Sequence, residues 1–317
     1  MTFHQSQEFA DALQAAAGHF KMRPIFIEKD YWVTYVLKSL SQSKHVNEVV
    51  FKGGTSLSKA HNCIERFSED IDLALVKESE TSANQLNKKM KSIEVAVTKD
   101  LEYFQHEKEE KRGRNRRTFY HYAKVLSDAD FGQVKDHIQL EINTFTNPAP
   151  HEEIKINSYV AQFLEQAGFI DRITEHQLDP FVIKVLTRER TFFEKLLSLV
   201  RLSYEGPDKL KEKIRHFYDL HKLLGQQDLT LLHPKNFEII DLVKADDNSN
   251  EIFKGEWMNK PFSSSPLFED VEKSWKELES TYKKDLAELV WSELPDPQKI
   301  VSSLMSIRQF VIEYDSK

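Results

Sequence analysis

The sequence predicts an α+β fold, with a mixed sheet and flanking helices in residues 1–175 and a helical C-terminal domain in residues 176–317. Short strand-like runs bounded by turn residues occur only in the first half. Beyond Asp179-Pro180 nearly every segment has helical periodicity. The length of 317 residues suits two domains or one large one.

Each element has its own signal. Across residues 3–40, Phe9, Leu13 and Ala16 recur at i, i+4 and i+7, and Trp32, Tyr35, Val36 and Leu40 follow the break at Pro24, which predicts two helices with Trp32 in the core. Val49-Val50-Phe51 reads as a strand that turns at Lys52-Gly53-Gly54-Thr55-Ser56 into a helix over 57–64. A second strand covers 71–76, and a helix is expected over 81–104. Strands follow at 119–126 and 137–145, the second stopped by Asn147-Pro148-Ala149-Pro150, with a short one at 154–158. Helices are expected at 187–204, 208–224, 236–244, 271–291 and 297–314, with loops at 246–250 and 261–266.

Composition excludes several classes. Hydrophobic residues make up 40% and Gly plus Pro number only 9 and 10, so the chain can fill a core and is not bulk disorder. The net charge of −7 leaves no global basic field, so any nucleic-acid contact must be local. A single cysteine, Cys63, rules out an internal disulfide and a cysteine-based zinc site, and is expected as a small buried hydrophobe. No run approaches the ~18 apolar residues of a membrane span, and Met1-Thr-Phe-His-Gln-Ser-Gln lacks a signal-peptide pattern, so a cytoplasmic location is expected.

The chemistry concentrates between residues 51 and 75. On a strand, side chains alternate faces, so Asp70 and Asp72 point the same way while Ile71 and Leu73 face the core. Paired carboxylates call for a neutralising charge, and a hard divalent cation, Mg²⁺ or Mn²⁺, suits them. Glu141, flanked by Leu140 and Ile142 on a strand, is the candidate third metal ligand. Gly53 and Gly54, where strand becomes helix, let the backbone approach a ligand, and the N–H groups that follow suit phosphate. A Walker A loop is excluded because Ser58 stands where its second glycine belongs. Strand, Gly-Gly-Thr-Ser, helix, Asp-x-Asp strand and a later strand acid follow the layout of the nucleotidyltransferase-fold superfamily.

Further motifs extend the likeness. With Phe26-Ile-Glu28-Lys29-Asp30-Tyr31-Trp32-Val33, Arg66-Phe-Ser-Glu-Asp70-Ile-Asp72, Arg190-Thr-Phe-Phe-Glu194-Lys195 and Arg215-His-Phe-Tyr218-Asp219, the chain resembles the AbiEii/AbiGii toxin nucleotidyltransferases over about residues 25–225. The resemblance implies a bilobed toxin of a toxin–antitoxin or phage-defence system, some members of which transfer nucleotides to tRNA ends. It implies that Gly53, Gly54, Thr55 and Ser56 hold the triphosphate, with Lys59 and Arg215 among the nucleotide contacts, and that Asp70 and Asp72 hold metal. Lys195 matches the family's nucleotide-contacting lysine, and Asp219, which orients that lysine or the acceptor, its late aspartate. Taken alone, Lys195 reads as a solvated lysine near Glu194, and Arg215 with Asp219 as an i,i+4 surface pair.

The expected function is therefore Mg²⁺-dependent transfer of a nucleotide from an NTP to an RNA hydroxyl. The alternatives are transfer to a protein, and a catalytically silent nucleotide- or antitoxin-binding module. Lys111, Arg112, Arg114, Arg116 and Arg117, beside Phe119, Tyr120 and Tyr122, form the candidate tRNA contact, and a cognate antitoxin is the candidate protein partner. Glu28, Lys29 and Asp30 are a candidate brace between a helix and the site.

Overall fold

A computed structural model describes residues 3–76, 82–126 and 134–317. The chain divides into two compact units, Met1–Ala60 with Phe67–Leu186, and His61–Arg66 with Thr187–Lys317.

The first unit opens with α1 (Gln7–Phe20), whose N-cap Ser6 accepts from the Phe9 N–H, and α2 (Pro24–Ser41), which starts on Pro24 as expected of a residue with no N–H to lose. Then come β1 (Val49–Lys52), α3 (Gly53–Lys59), β2 (Ile71–Leu75), α4 (Ala83–Val97), β3 (Glu102–Phe104), β4 (Asn115–His121), β5 (Ile138–Asn143), β6 (His151–Ile156), α5 (Tyr159–Gln166), α6 (Ile170–Glu175) and β7 (Phe181–Leu186). Among the described residues the strands form one sheet in the order β3-β4-β5-β2-β1-β7-β6. The pairs β2–β5 and β1–β7 are parallel and the others antiparallel. Val50, Phe51, Leu73, Ala74 and Ile142 on the central strands are fully buried, as expected of strands covered on both faces.

Several boundaries differ from the sequence expectation. The helix expected over 81–104 is α4, capped by a Ser82–Gln85 capping box, and it ends at Val97; residue 81 lies outside the described residues. Its buried stripe is Met90, Ile93 and Val97, and the next positions, Asp100 and Leu101, do not continue it. Residues 102–104 instead form an edge strand on β4. That strand starts at Asn115, so Arg116 and Arg117 stand in the sheet and not in a basic loop. The unforeseen β7 pairs with both β1 and β6, and the first compact unit runs to Leu186, past the boundary expected at 175/176.

The second unit holds α7 (Arg188–Ser203), α8 (Pro207–Glu212), α9 (Ile214–Leu224), α10 (Phe237–Asn248), α11 (Pro266–Glu269), α12 (Val271–Ala287) and α13 (Pro297–Asp315). Thr187 caps α7, which buries Phe192, Phe193, Leu196, Leu199 and Val200 and packs on α9 and α10. Residues 246–248, expected in a loop, complete α10. Cys63 is buried, and burial pushes its thiol up to about 12. Among the described residues no helix is long and apolar enough to cross a membrane.

Candidate active site

The site of the first unit is a row of charges across four adjacent strands. Lys52 on β1 pairs in register with Asp72 on β2, Asp72 with Glu141 on β5, and Glu141 with Arg117 on β4. Residues paired in register share a face and stand on strands about 4.8 Å apart. The row therefore reads plus, minus, minus, plus, with both acids at its centre. Asp70, the residue before β2 and two before Asp72, adds a third carboxylate.

Gly53 fixes where Asp72 can lie. Its φ is +85°, and a Cβ built there would come 2.2 Å from Asp72 Oδ2, so both the backbone and the space require glycine. The turn's hydroxyls face inward. Thr55 Oγ1 donates to the Asp70 carbonyl (2.6 Å) and lies 3.0 Å from Ser68 Oγ, while Ser56 Oγ donates to the Gly53 carbonyl (2.9 Å). The Thr55 bonds tie the turn to the loop before β2, and the Ser56 bond closes the turn on itself.

Cations already sit on two of the acids. Lys135 Nζ lies 2.6 Å from Asp70 Oδ1 and donates to Gln139 Oε1 (3.1 Å). Arg117 meets Glu141 Oε2 through Nε (2.9 Å) and a terminal nitrogen (2.7 Å). Burial alone would lower the Arg117 pKa, but Glu141, then Glu110 and Asp72, outweigh it and raise it above the ordinary value. Among the described residues no three His, Cys, Asp or Glu side chains gather as a metal-ligand set. Glu141, expected as the third metal ligand, stands in register beside Asp72 on one side and is paired with Arg117 on the other. Asp70 and Asp72 remain as an oxygen donor pair that fits a hard divalent cation.

Three consecutive residues of α2 hold this arrangement, each turned about 100° from the last. Glu28 accepts the Val125 N–H at 2.5 Å. Lys29, fully buried, lies 3.1 Å from Glu69 Oε2 and donates to the His137 carbonyl, and Glu69 Oε1 accepts the Lys135 N–H at 3.1 Å. Asp30 accepts from Lys59 Nζ (2.5 Å) and from the Tyr159 N–H at the start of α5 (2.8 Å). Desolvation lowers both lysine pKa values and raises that of Asp30, so the buried charges are costly and the pairs interdependent. Lys59, expected among the nucleotide contacts, is a structural partner of Asp30, buried at the end of α3.

The second unit brings together Lys195, Asp219 and Arg66. Asp219 is fully buried; it takes Arg66 through Nε (2.6 Å) and Nη2 (2.7 Å) and lies 2.9 Å from Lys195 Nζ. Burial would push this carboxyl up, but Arg66 and Lys195 outweigh it and hold it well below the usual carboxylate range. Lys195 is thus a buried, oriented ammonium and not a solvated one, while Glu194 serves Arg190 (3.2 Å). Arg215 stands one turn before Asp219 on α9, yet the buried partners of Asp219 come from elsewhere in this unit.

The basic segment is mostly committed. Arg114 donates to the Thr144 carbonyl (2.7 Å), Arg116 pairs with Glu94 and Arg117 with Glu141. Lys111 lies 2.9 Å from Glu109 and 4.1 Å above the Tyr103 ring. Sequence reasoning missed Lys52, Lys135 and Arg117 as members of the site, and missed Arg66 as the anchor of Asp219. The signals on offer were the place of Lys52 and Arg66 inside the sequence motifs and the even spacing of Arg117 with Phe119 along one strand. A cavity of about 400 Å³ lined by Phe3, Tyr31, Tyr35, Lys38, His176 and Phe181 contains none of these groups.

A mixed sheet that presents an Asp-x-Asp strand against a strand–Gly-Gly–helix turn defines the nucleotidyltransferase fold. A family model described as nucleotidyl transferase AbiEii toxin, type IV TA system, matches residues 35–296. The chain belongs to this family, and is accordingly a nucleotidyltransferase toxin of a type IV toxin–antitoxin system. No curated relative matches it.

Proposed function

We propose that the protein transfers a nucleoside monophosphate from an NTP to an RNA hydroxyl, with tRNA the acceptor, in a reaction that depends on Mg²⁺ or Mn²⁺. The observation that carries the metal part is the packing of Asp72 against Gly53, with Asp70 two residues before it at the entry to β2. Asp70 and Asp72 would hold the cation. When bound, it neutralises charge on the phosphates and lowers the pKa of the attacking hydroxyl. The Gly53–Gly54 turn admits the triphosphate where a side chain would exclude it. In the second unit, Lys195 matches the family's nucleotide-contacting lysine, and Asp219, anchored by Arg66, aims its ammonium. Arg215 is kept as a nucleotide contact on the family motif alone. The RNA acceptor rests on the family resemblance, since Arg114, Arg116 and Arg117 are engaged within the fold.

The test is incubation with Mg²⁺, each α-labelled NTP in turn, total RNA and cell protein, using Asp72→Asn as control. Label on a tRNA-sized band that is lost in the variant is the expected result. Label on protein overturns the acceptor, and label that survives Asp72→Asn overturns the site.

A further inference from the structure

We infer that Lys135 and Arg117 are placeholder cations. They neutralise the acidic centre before substrate arrives, compete with the metal for it, and then turn to the triphosphate. The inference rests on the metal-dependent reading above and assigns two residues that the family motifs leave out.

Charge and exposure both point this way. Asp70, Asp72 and Glu141 bring three negative charges to the site, and Lys52, Lys135 and Arg117 bring three positive ones. A single divalent ion carries the same two charges as Lys135 and Arg117 together. Exchanging the side chains for the ion therefore leaves the local balance unchanged, whereas adding it on top would leave the face cationic. The buried pairs around them, Lys29 with Glu69 and Lys59 with Asp30, cannot make that exchange, because their side chains are 0–7% exposed and have no water to enter. The side chains of Lys135 and Arg117 are 37% and 32% exposed, so water can replace each carboxylate as its partner. Both have long stems, and both stand beside the carboxylates where a metal-bound triphosphate would bring its negative oxygens. Lys135 has an alternative partner in Gln139, and Arg117 lies in the field of Glu110 as well as Glu141. Each can shift without leaving its neighbourhood.

The role predicts effects of opposite sign. Removing a competitor tightens binding of the metal alone, and removing a phosphate ligand weakens binding of metal with nucleotide. A residue that merely holds the site together would weaken both.

The experiment measures Mn²⁺ binding by the intact chain, read from the electron paramagnetic resonance signal of free Mn²⁺, first without nucleotide and then with a non-hydrolysable NTP analogue. Variants are Lys135→Met, Lys135→Gln, Arg117→Met and Asp70→Asn, with melting curves to confirm that each is folded. The Lys135 and Arg117 variants should bind Mn²⁺ alone about two- to five-fold more tightly, the range of a half-exposed ion pair. They should bind the Mn²⁺–nucleotide complex more weakly by a similar factor. Unchanged or weaker binding of Mn²⁺ alone overturns the placeholder role while Asp70→Asn still abolishes binding. Binding that survives Asp70→Asn removes the metal site itself, and the inference with it.

Discussion

The sharpest test of the site's geometry is Gly53→Ala, a change of one methyl group. The added Cβ would stand 2.2 Å from Asp72 Oδ2, where ordinary contact begins near 3.4 Å, so the carboxylate must retreat by about 1.2 Å. The backbone adds its own cost, since φ of +85° suits glycine and strains other residues by about 1–3 kcal/mol. Against a typical stability of about 5–15 kcal/mol the fold survives. Displacement of a catalytic group by about 1 Å costs roughly 10²-fold in rate. The expected outcome is therefore a folded protein whose urea midpoint falls modestly and whose nucleotide transfer falls about a hundredfold.

Two assays separate the strain from the displaced carboxylate. Mn²⁺ affinity should fall with the rate in Gly53→Ala, because the same Asp72 oxygen serves both. In an Asp72→Asn background the added methyl should cost little more in rate, since both changes act on one group and their effects do not add. Wild-type Mn²⁺ binding and rate in Gly53→Ala, or full additivity in the double variant, would refute the argument that Gly53 exists to seat Asp72.

Two further outcomes follow from buried charges. Asp30→Ala leaves the Lys59 ammonium buried without its partner, and should destabilise the first unit by about 3–5 kcal/mol in urea titration, whereas Asp30→Leu with Lys59→Met should cost clearly less. An equal cost for the two would show that packing and not charge matters there. Asp219 titrates below its ordinary value of 3.8, so its stabilising contribution is complete above that pH and is lost as pH falls through the lower folded value. Asp219→Asn should flatten the acid limb of a stability–pH curve, and should lower stability at pH 7 by about 3–5 kcal/mol because Arg66 and Lys195 stay buried without a counter-charge. An unchanged acid slope would remove Asp219 as its source.

What could be read from the sequence follows the range over which the physics acts. Alternation along one strand places Asp70 and Asp72 on one face within three residues, and Gly-Gly after Val-Val-Phe marks a turn, so both are legible locally. Helical stripes such as Phe192, Leu196 and Leu199 are equally local. The strand Phe181–Leu186 was an apolar run after a proline, yet its helical sequel masked it. Register between strands is a different matter. Glu141 lies 24 residues after Arg117 and 69 after Asp72, and nothing in either stretch says which residue will stand opposite which. Only the assembled sheet turns an outward acid into the partner of a guanidinium.

The same holds for Lys195, whose neighbours on α7 suggest a polar face, while Asp219 and Arg66, brought to it by folding, make it a buried and directed charge. In both cases the sequence identifies the charged residue, and its partner decides its work. Glu141 stands opposite an arginine, Asp72 packs against a glycine turn, and Lys195 is aimed by a buried aspartate. Asp72 and Glu141, one register step apart, each have a cation on their outer side, Lys52 and Arg117, and the close approach of Gly53 is what sets Asp72 apart.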